Sequence, residues 1–137
     1  MSSVHGREHP VITGIGALTP LGLNTAATWQ AMLDGRSGVR AIESFDASGL
    51  PVRIAGEVQG FDAEALLGPK RARRSARFSQ LAIAAAREAV ADAGLDVAAG
   101  ADAVGVLVNS AVGGLPETED NVRAMFVQGH ARRQDDE

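Results

Sequence analysis

Apolar positions along this chain follow two rhythms. Some fall in short runs bounded by glycine and proline, and others recur every three or four residues. Val11, Ile12 and Ile15 form a run too brief for a helix and suited to a buried strand. Gly14 and Gly16 remove side chains where that strand ends. Thr19-Pro20-Leu21-Gly22 is turn chemistry, with Pro20 denying further ladder hydrogen bonds. Asn24 or Thr25 then caps a predicted helix reaching about Asp34, with Gly35 as its stop. Ala26, Trp29 and Leu33 share one face of it, so Trp29 is expected in the core and not as a ligand-stacking group. Residues 36–62 are loop-rich, and Val52, Ile54 and Val58 alternate as in an exposed strand or hairpin.

Gly68-Pro69 punctuates the chain before its longest periodic stretch. The spacing predicts a helix from about Ser75 to Ala93, closed by Gly94, with Phe78, Leu81, Ala82, Ala85 and Ala89 as a narrow apolar stripe. Ala103 to Val108 is nearly continuous apolar sequence, as expected of a strand covered on both faces. After Gly113-Gly114, a helix is expected from about Pro116 to Gln128, its first turn acidic through Glu117, Glu119 and Asp120. The order strand, helix, hairpin, helix, strand, helix implies an α/β layer with crossover connections.

Composition narrows the function classes. At 137 residues and 45% hydrophobic content, the chain can build one modest domain with a core. A formal net charge of −4 gives no reason to expect general affinity for nucleic acid or membranes, and no apolar stretch approaches a membrane span. Residues 1–10 are polar, lack the apolar core of a secretory signal and read as a disordered tail. With no cysteine there are no disulfides, and a cytoplasmic location is the expectation.

Candidate chemistry is sparse. Gly14 and Gly16 supply two glycines of a phosphate-cradling GxGxxG loop, but Thr19 stands where the third belongs and Pro20 interrupts the helix start. His5 and His9 sit in the tail and His130 follows the last predicted helix, while Ser110 has no base placed beside it. No metal-ligand spacing appears. The expectation is therefore no catalytic residue, no metal and no cofactor in this chain.

One charge cluster stands out. Lys70, Arg71, Arg73, Arg74 and Arg77 place five of the 13 positive charges within eight residues, just ahead of the longest predicted helix. Cations near a helix N-terminus are unfavourable by roughly 0.3–1 kcal/mol each at exposed sites. Keeping five there points to an external anionic partner, drawn in by electrostatic steering. Nucleic acid fits poorly, given the negative net charge and only five aromatic residues.

The opening VITGIGALTPLG at 11–22 resembles the first strand and turn of the β-ketoacyl-acyl-carrier-protein synthases, closest to the elongating type II enzymes of fatty-acid synthesis. The likeness continues through NTAATWQAMLDGRSGVRAIESFDASGLPVRIAGEV, RFSQLAIAAAREAVADAGL and VGVLVNSAVGGL, an ordered coverage of 11 to about 133. Asn109-Ser110-Ala111 departs from it, since members are commonly richer in glycine there. The resemblance implies the N-terminal part of a thiolase-like α/β fold, layered αβαβα at full length, and a homodimer. It implies a decarboxylative Claisen condensation in which a cysteine takes the acyl chain as a thioester. Two histidines assist decarboxylation of malonyl-carrier protein and stabilise the oxyanion. All three residues are expected beyond the point where this sequence stops, so the chain alone is expected to be inactive. Lys70, Arg73 and Arg74 match positions used for docking the acidic acyl carrier protein, and Arg132 and Arg133 match a second basic pair. Val112 matches an aliphatic position that lines or gates the acyl pocket; an ordinary buried valine is the alternative.

The likeness is lost at Gln134, and 134–137 reads as a divergent acidic tail after a partial synthase domain over 11–133. Twelve arginines against one lysine suggest a GC-rich coding sequence, and a truncated or frame-shifted copy is the expectation. A non-catalytic subunit, like the chain-length factors of polyketide synthases, is the rival reading. Without a second half, apolar surface would lie bare, so poor solubility or partial folding is expected; a sharp, cooperative thermal transition of the soluble monomer would contradict this.

Overall fold

A computed structural model describes the backbone of residues 9–134 and the side chains of 9–127. The expected tail thus lies outside it over residues 1–8, as do residues 135–137, His5, and the side chains of His130, Arg132 and Arg133. In chain order the elements are α1 (Thr25–Leu33), β1 (Arg40–Ala41), β2 (Ile54–Ala55), α2 (Ala63–Leu67), α3 (Pro69–Ala72), α4 (Arg77–Asp92), a 3-10 turn (Ala101–Ala103) and α5 (Leu115–Gln134). They group into two compact units. One contains the described residues up to Gln59 with Ala85–Val104, and the other contains Gly60–Ala84 with the described residues from Gly105 onward.

In the first unit, α1 begins and ends as its sequence dictates. Asn24 is extended and its Oδ1 accepts from Ala27 N at 2.7 Å, satisfying one of the orphan donors of the first turn. Gly35, at φ 66°, closes the helix with Gly35 N donating to Met32 O and Arg36 N to Ala31 O, a Schellman arrangement that only a left-handed residue completes. α4 ends the same way at Gly94, φ 59°, with Gly94 N on Ala91 O and Leu95 N on Val90 O.

The segment Gly14–Ala17 lies along the second half of α4 and is held there by polar and steric constraints together. Ile15 N donates to the Asp92 carboxylate and Ala17 N to the Glu88 carboxylate, each at 2.9 Å. The other oxygen of Glu88 accepts from Thr25 N at 2.7 Å, tying the first turn of α1 to the same helix. Between these contacts, a methyl group at Gly14 would overlap the Ala89 carbonyl, and one at Gly16 would overlap that of Ala85. Two residues of extended chain cover about 6.6 Å, and four residues of helix rise about 6 Å. Alternate residues 14/16 and 15/17 therefore meet positions 89/85 and 92/88 in step, with the segment running against the helix direction.

The predicted hairpin forms from a partner in the preceding loop. Arg40 pairs with Ala55 and Ala41 with Ile54 in a two-stranded antiparallel ladder. Gly38 and Gly56 rest against Pro20, whose turn is closed by the reciprocal Thr19–Gly22 hydrogen bonds of 2.9 and 3.2 Å. The Glu57 carboxylate accepts from the N–H groups of Glu43 and Ser44 and from the Ser44 hydroxyl, fastening the loop after β1.

Two expected strands do not form. The stretches 11–15 and 103–108 make no ladder among the described residues, and Val11, Ile12, Val106 and Leu107 are 78, 83, 85 and 97% exposed. Apolar runs of this kind need a neighbouring strand to satisfy their backbone, and none is present for either. Trp29 is likewise corrected from core to surface, 59% exposed. Among the described residues, the buried apolar ones are the alanines Ala31, Ala47, Ala72 and Ala84. Close backbone approach, not large side chains, makes the interior.

Glu88 carries a testable consequence. Burial, the largest influence, pushes its carboxyl up. The N–H groups of Thr25 and Ala17, with the Thr25 hydroxyl, outweigh that and hold it below the ordinary glutamate range. A carboxyl lowered in the folded state contributes stability that is fully present above its ordinary range and is lost as pH falls through its lowered value. Glu88→Ala is expected to reduce the protection of the Ala17 and Thr25 amides against hydrogen exchange by about 2 kcal/mol. In the unaltered chain the same two amides are expected to lose protection selectively in acid, below the ordinary glutamate range. Equal protection in both chains would refute the clamp.

Candidate functional site

The second unit holds the basic cluster. Asp62 caps α2, its Oδ1 accepting from Ala65 N at 2.9 Å, and Pro69 fits the first position of α3. Gly68–Pro69 therefore joins two short helices and is more than a break. α3 ends at Arg73, and its backbone turns through Arg74 and Ser75 before α4 starts at Arg77.

This geometry revises the electrostatic argument made from spacing alone. Lys70 and Arg71 lie in the last turn of α3, where cations complement the negative end of the dipole, and Arg73 is its C-terminal cap. Only Arg77 enters the first turn of α4. The stronger observation is that Lys70, Arg71, Arg73 and Arg74 are exposed and form no ion pair among the described residues. Arg77 is committed elsewhere. Its guanidinium lies over the Phe61 ring, 4.9 Å from the centroid, and Nη1 donates to Phe61 O at 3.4 Å. The five-residue cluster thus resolves into four outward cations and one arginine used for packing.

Gln80 fixes the turn that carries two of these cations. Its Nε2 donates to Ala72 O and to Ser75 O, each at 2.9 Å, across the Arg73-Arg74 backbone. Beside it lies an open recess of about 620 Å³, lined by Phe61, Asp62, Ala63, Glu64, Ala72, Arg73 and Gln80 with Gly60. Its rim is acidic on the α2 side and basic at Arg73. Sequence reasoning passed over Phe61, Asp62 and Gln80; the Asp62-x-x-Ala65 capping pattern was the available signal for the first turn of α2.

Val112 is 69% exposed, and the adjacent Gly113 lies so close to Phe78 that an added Cβ would sit 2.8 Å from its ring. Ser110 makes no hydrogen bond to a base among the described residues, and His9 is exposed. A second cleft, of about 450 Å³, is lined by Trp29 with Ile15, Thr25, Ala26, Glu88, Ala91 and Asp92. Its two carboxylates already accept from backbone N–H groups. No group of three or more metal-ligating side chains occurs among the described residues. No helix among them is long and apolar enough to cross a membrane. The arrangement can offer cations to an anionic surface.

Comparison with known proteins shows the family. Residues 8–134 match the family described as Beta-ketoacyl synthase, N-terminal domain. The chain is 43% identical over 124 residues to 3-oxoacyl-[acyl-carrier-protein] synthase 2 of Coxiella burnetii, covering 90% of this chain and 30% of that protein. It is 39% identical over 127 residues to the synthase of the same name from Synechocystis, covering 92% and 30%, and 42% identical over 123 residues to that of Staphylococcus aureus, covering 89% and 30%. Among solved structures, the ishigamide ketosynthase/chain length factor aligns with a TM-score of 0.56 at 34% identity, over 64% of this chain and 22% of that one. The chain spans about 30% of the length of the curated relatives it matches. Its α/β architecture is the N-terminal part of a thiolase-like fold, and the chain belongs to the β-ketoacyl synthase family.

Proposed function

We propose that this chain is the N-terminal, carrier-docking portion of a 3-oxoacyl-[acyl-carrier-protein] synthase of fatty-acid synthesis. The whole enzyme would extend an acyl chain by decarboxylative Claisen condensation with malonyl-carrier protein. The observation that carries this reading is the match over 8–134 together with relatives at 39–43% identity that share the synthase name. Residues 11–133 make up one partial domain on this reading. The non-catalytic, chain-length-factor-like alternative has less support, because the three sequence relatives named above are all synthases.

The reaction needs a thiol to hold the acyl group, and these 137 residues contain no cysteine. The acyl thioester therefore forms on a residue outside them, and this chain by itself performs no condensation. What it contributes is recognition. Lys70, Arg73 and Arg74 are exposed cations suited to an acidic carrier protein, with Arg132 and Arg133 as a second basic pair. Val112, beside the paired glycines, borders the acyl pocket. The partner state of the whole enzyme is a homodimer, and its location is the cytoplasm.

The test is binding of the purified chain to an acyl carrier protein across a salt series. Arg73→Ala and Arg74→Ala are each expected to weaken binding roughly two- to fivefold at low ionic strength. The difference should fade near ~1 M salt, where the screening length falls to about 3 Å. An unrelated protein of equal acidity should bind less well. Equal affinity for both partners, or no effect of either substitution, would sink the docking role. Incubation with acyl- and malonyl-carrier protein is expected to yield no 3-oxoacyl product; product formation by the chain alone would overturn its assignment as recognition only.

A further inference from the structure

We infer that Gln80 is a positioning residue for carrier docking, holding Arg73 and Arg74 in a preformed pair before any partner arrives. The inference rests on the docking role proposed above for these two arginines.

An amide NH2 has two hydrogens, and both are used here. One goes to Ala72 O and the other to Ser75 O, each at 2.9 Å. The reverse orientation of the amide would face its oxygen towards two carbonyl oxygens, so the acceptors themselves fix which way Gln80 points. The two carbonyls bracket Arg73 and Arg74 in the chain. Ala72 is 5% exposed, so its carbonyl belongs to a well-packed position, and it also accepts from Ser75 N at 3.3 Å. The turn has few other restraints. Arg73 N donates to Pro69 O and Arg74 N to Arg71 O, bonds of 3.2 and 3.1 Å inherited from a helix of only four residues. A helix that short has little stability of its own. Gln80 comes from the much longer α4 and transfers that helix's rigidity to the turn.

The functional consequence follows from the cost of binding. Long basic side chains on a loose turn must be ordered when a partner docks, and ordering them weakens association. A turn already clamped presents its two guanidinium groups from a fixed backbone. Gln80 itself touches no partner in this scheme. It lines the recess beside Arg73, and its amide hydrogens are directed inward to the turn.

The decisive comparison is Gln80→Met, which keeps length and helix propensity, removes both donors and leaves charge unchanged. Carrier-protein affinity is measured in the otherwise unaltered chain and in the Arg73→Ala/Arg74→Ala background. The expected result is a loss of about threefold in the first and none in the second, with an unchanged salt dependence because no charge is removed. An equal loss in both backgrounds would assign Gln80 a general structural role and overturn the proposal, as would no loss in either. If the arginine substitutions themselves leave carrier affinity intact, the docking role falls, and the positioning role falls with it. Should the Gln80→Met chain fail to fold, hydrogen exchange of the Gln80 side-chain amide in the unaltered chain still decides. Slow exchange of both hydrogens supports the clamp, and exchange as fast as a free glutamine amide overturns it.

Discussion

The second half of α4 is the surface on which the first unit is built. A chain segment without a β-ladder still has backbone N–H groups to satisfy, and here Asp92 and Glu88 satisfy them from the helix. Glu88 does so twice, since its second oxygen accepts from the start of α1. The carboxylates sit close enough only because Gly14 and Gly16 carry no side chain against Ala85 and Ala89. Steric permission and hydrogen bonding are therefore one constraint. Remove the glycines and the carboxylates lose their donors; remove the carboxylates and the approach is left uncompensated.

Much of this was legible in the residues. Asn24 as cap and Gly35 and Gly94 as stops act as their chemistry requires, whereas the residue α4 buries is Ala84, outside the expected stripe. Those features are local, or depend on backbone geometry that glycine alone adopts easily. What sequence reasoning missed is non-local. The expected strands at 11–15 and 103–108 have the right composition, but a strand exists only with a neighbour, and composition cannot supply one. Trp29 has the right helical spacing for a core face but is 59% exposed, because spacing fixes a face and not what packs on it. The cations around Arg73 were read as crowding one helix N-terminus. Two short helices, α2 and α3, redistribute them, and Phe61 withdraws Arg77 into packing.

The basic patch and the bare apolar segments describe one division of labour. The docking role proposed for the basic turn would need only a backbone held in shape, and Gln80 donates two hydrogen bonds to that turn from α4. Covalent catalysis needs a thiol, and the sequence has none. The relatives matched are about three times as long, and the resemblance extends through almost all of this chain. The part of the fold present here thus fixes backbone at two places, Gly14–Ala17 and the Arg73-Arg74 turn.

The paired spacing of Gly14–Ala17 against α4 behaves like two rulers with matched graduations, one stepping by two residues and the other by four. Substitution at one mark spoils one contact. Insertion or deletion of a single residue within the segment does something different in kind: it exchanges the two faces, turning side chains into the helix carbonyls and donors away from Glu88 and Asp92. Surface loops accommodate changes of length far more readily than this. The stretch is thus a site where length, more than composition, is under constraint.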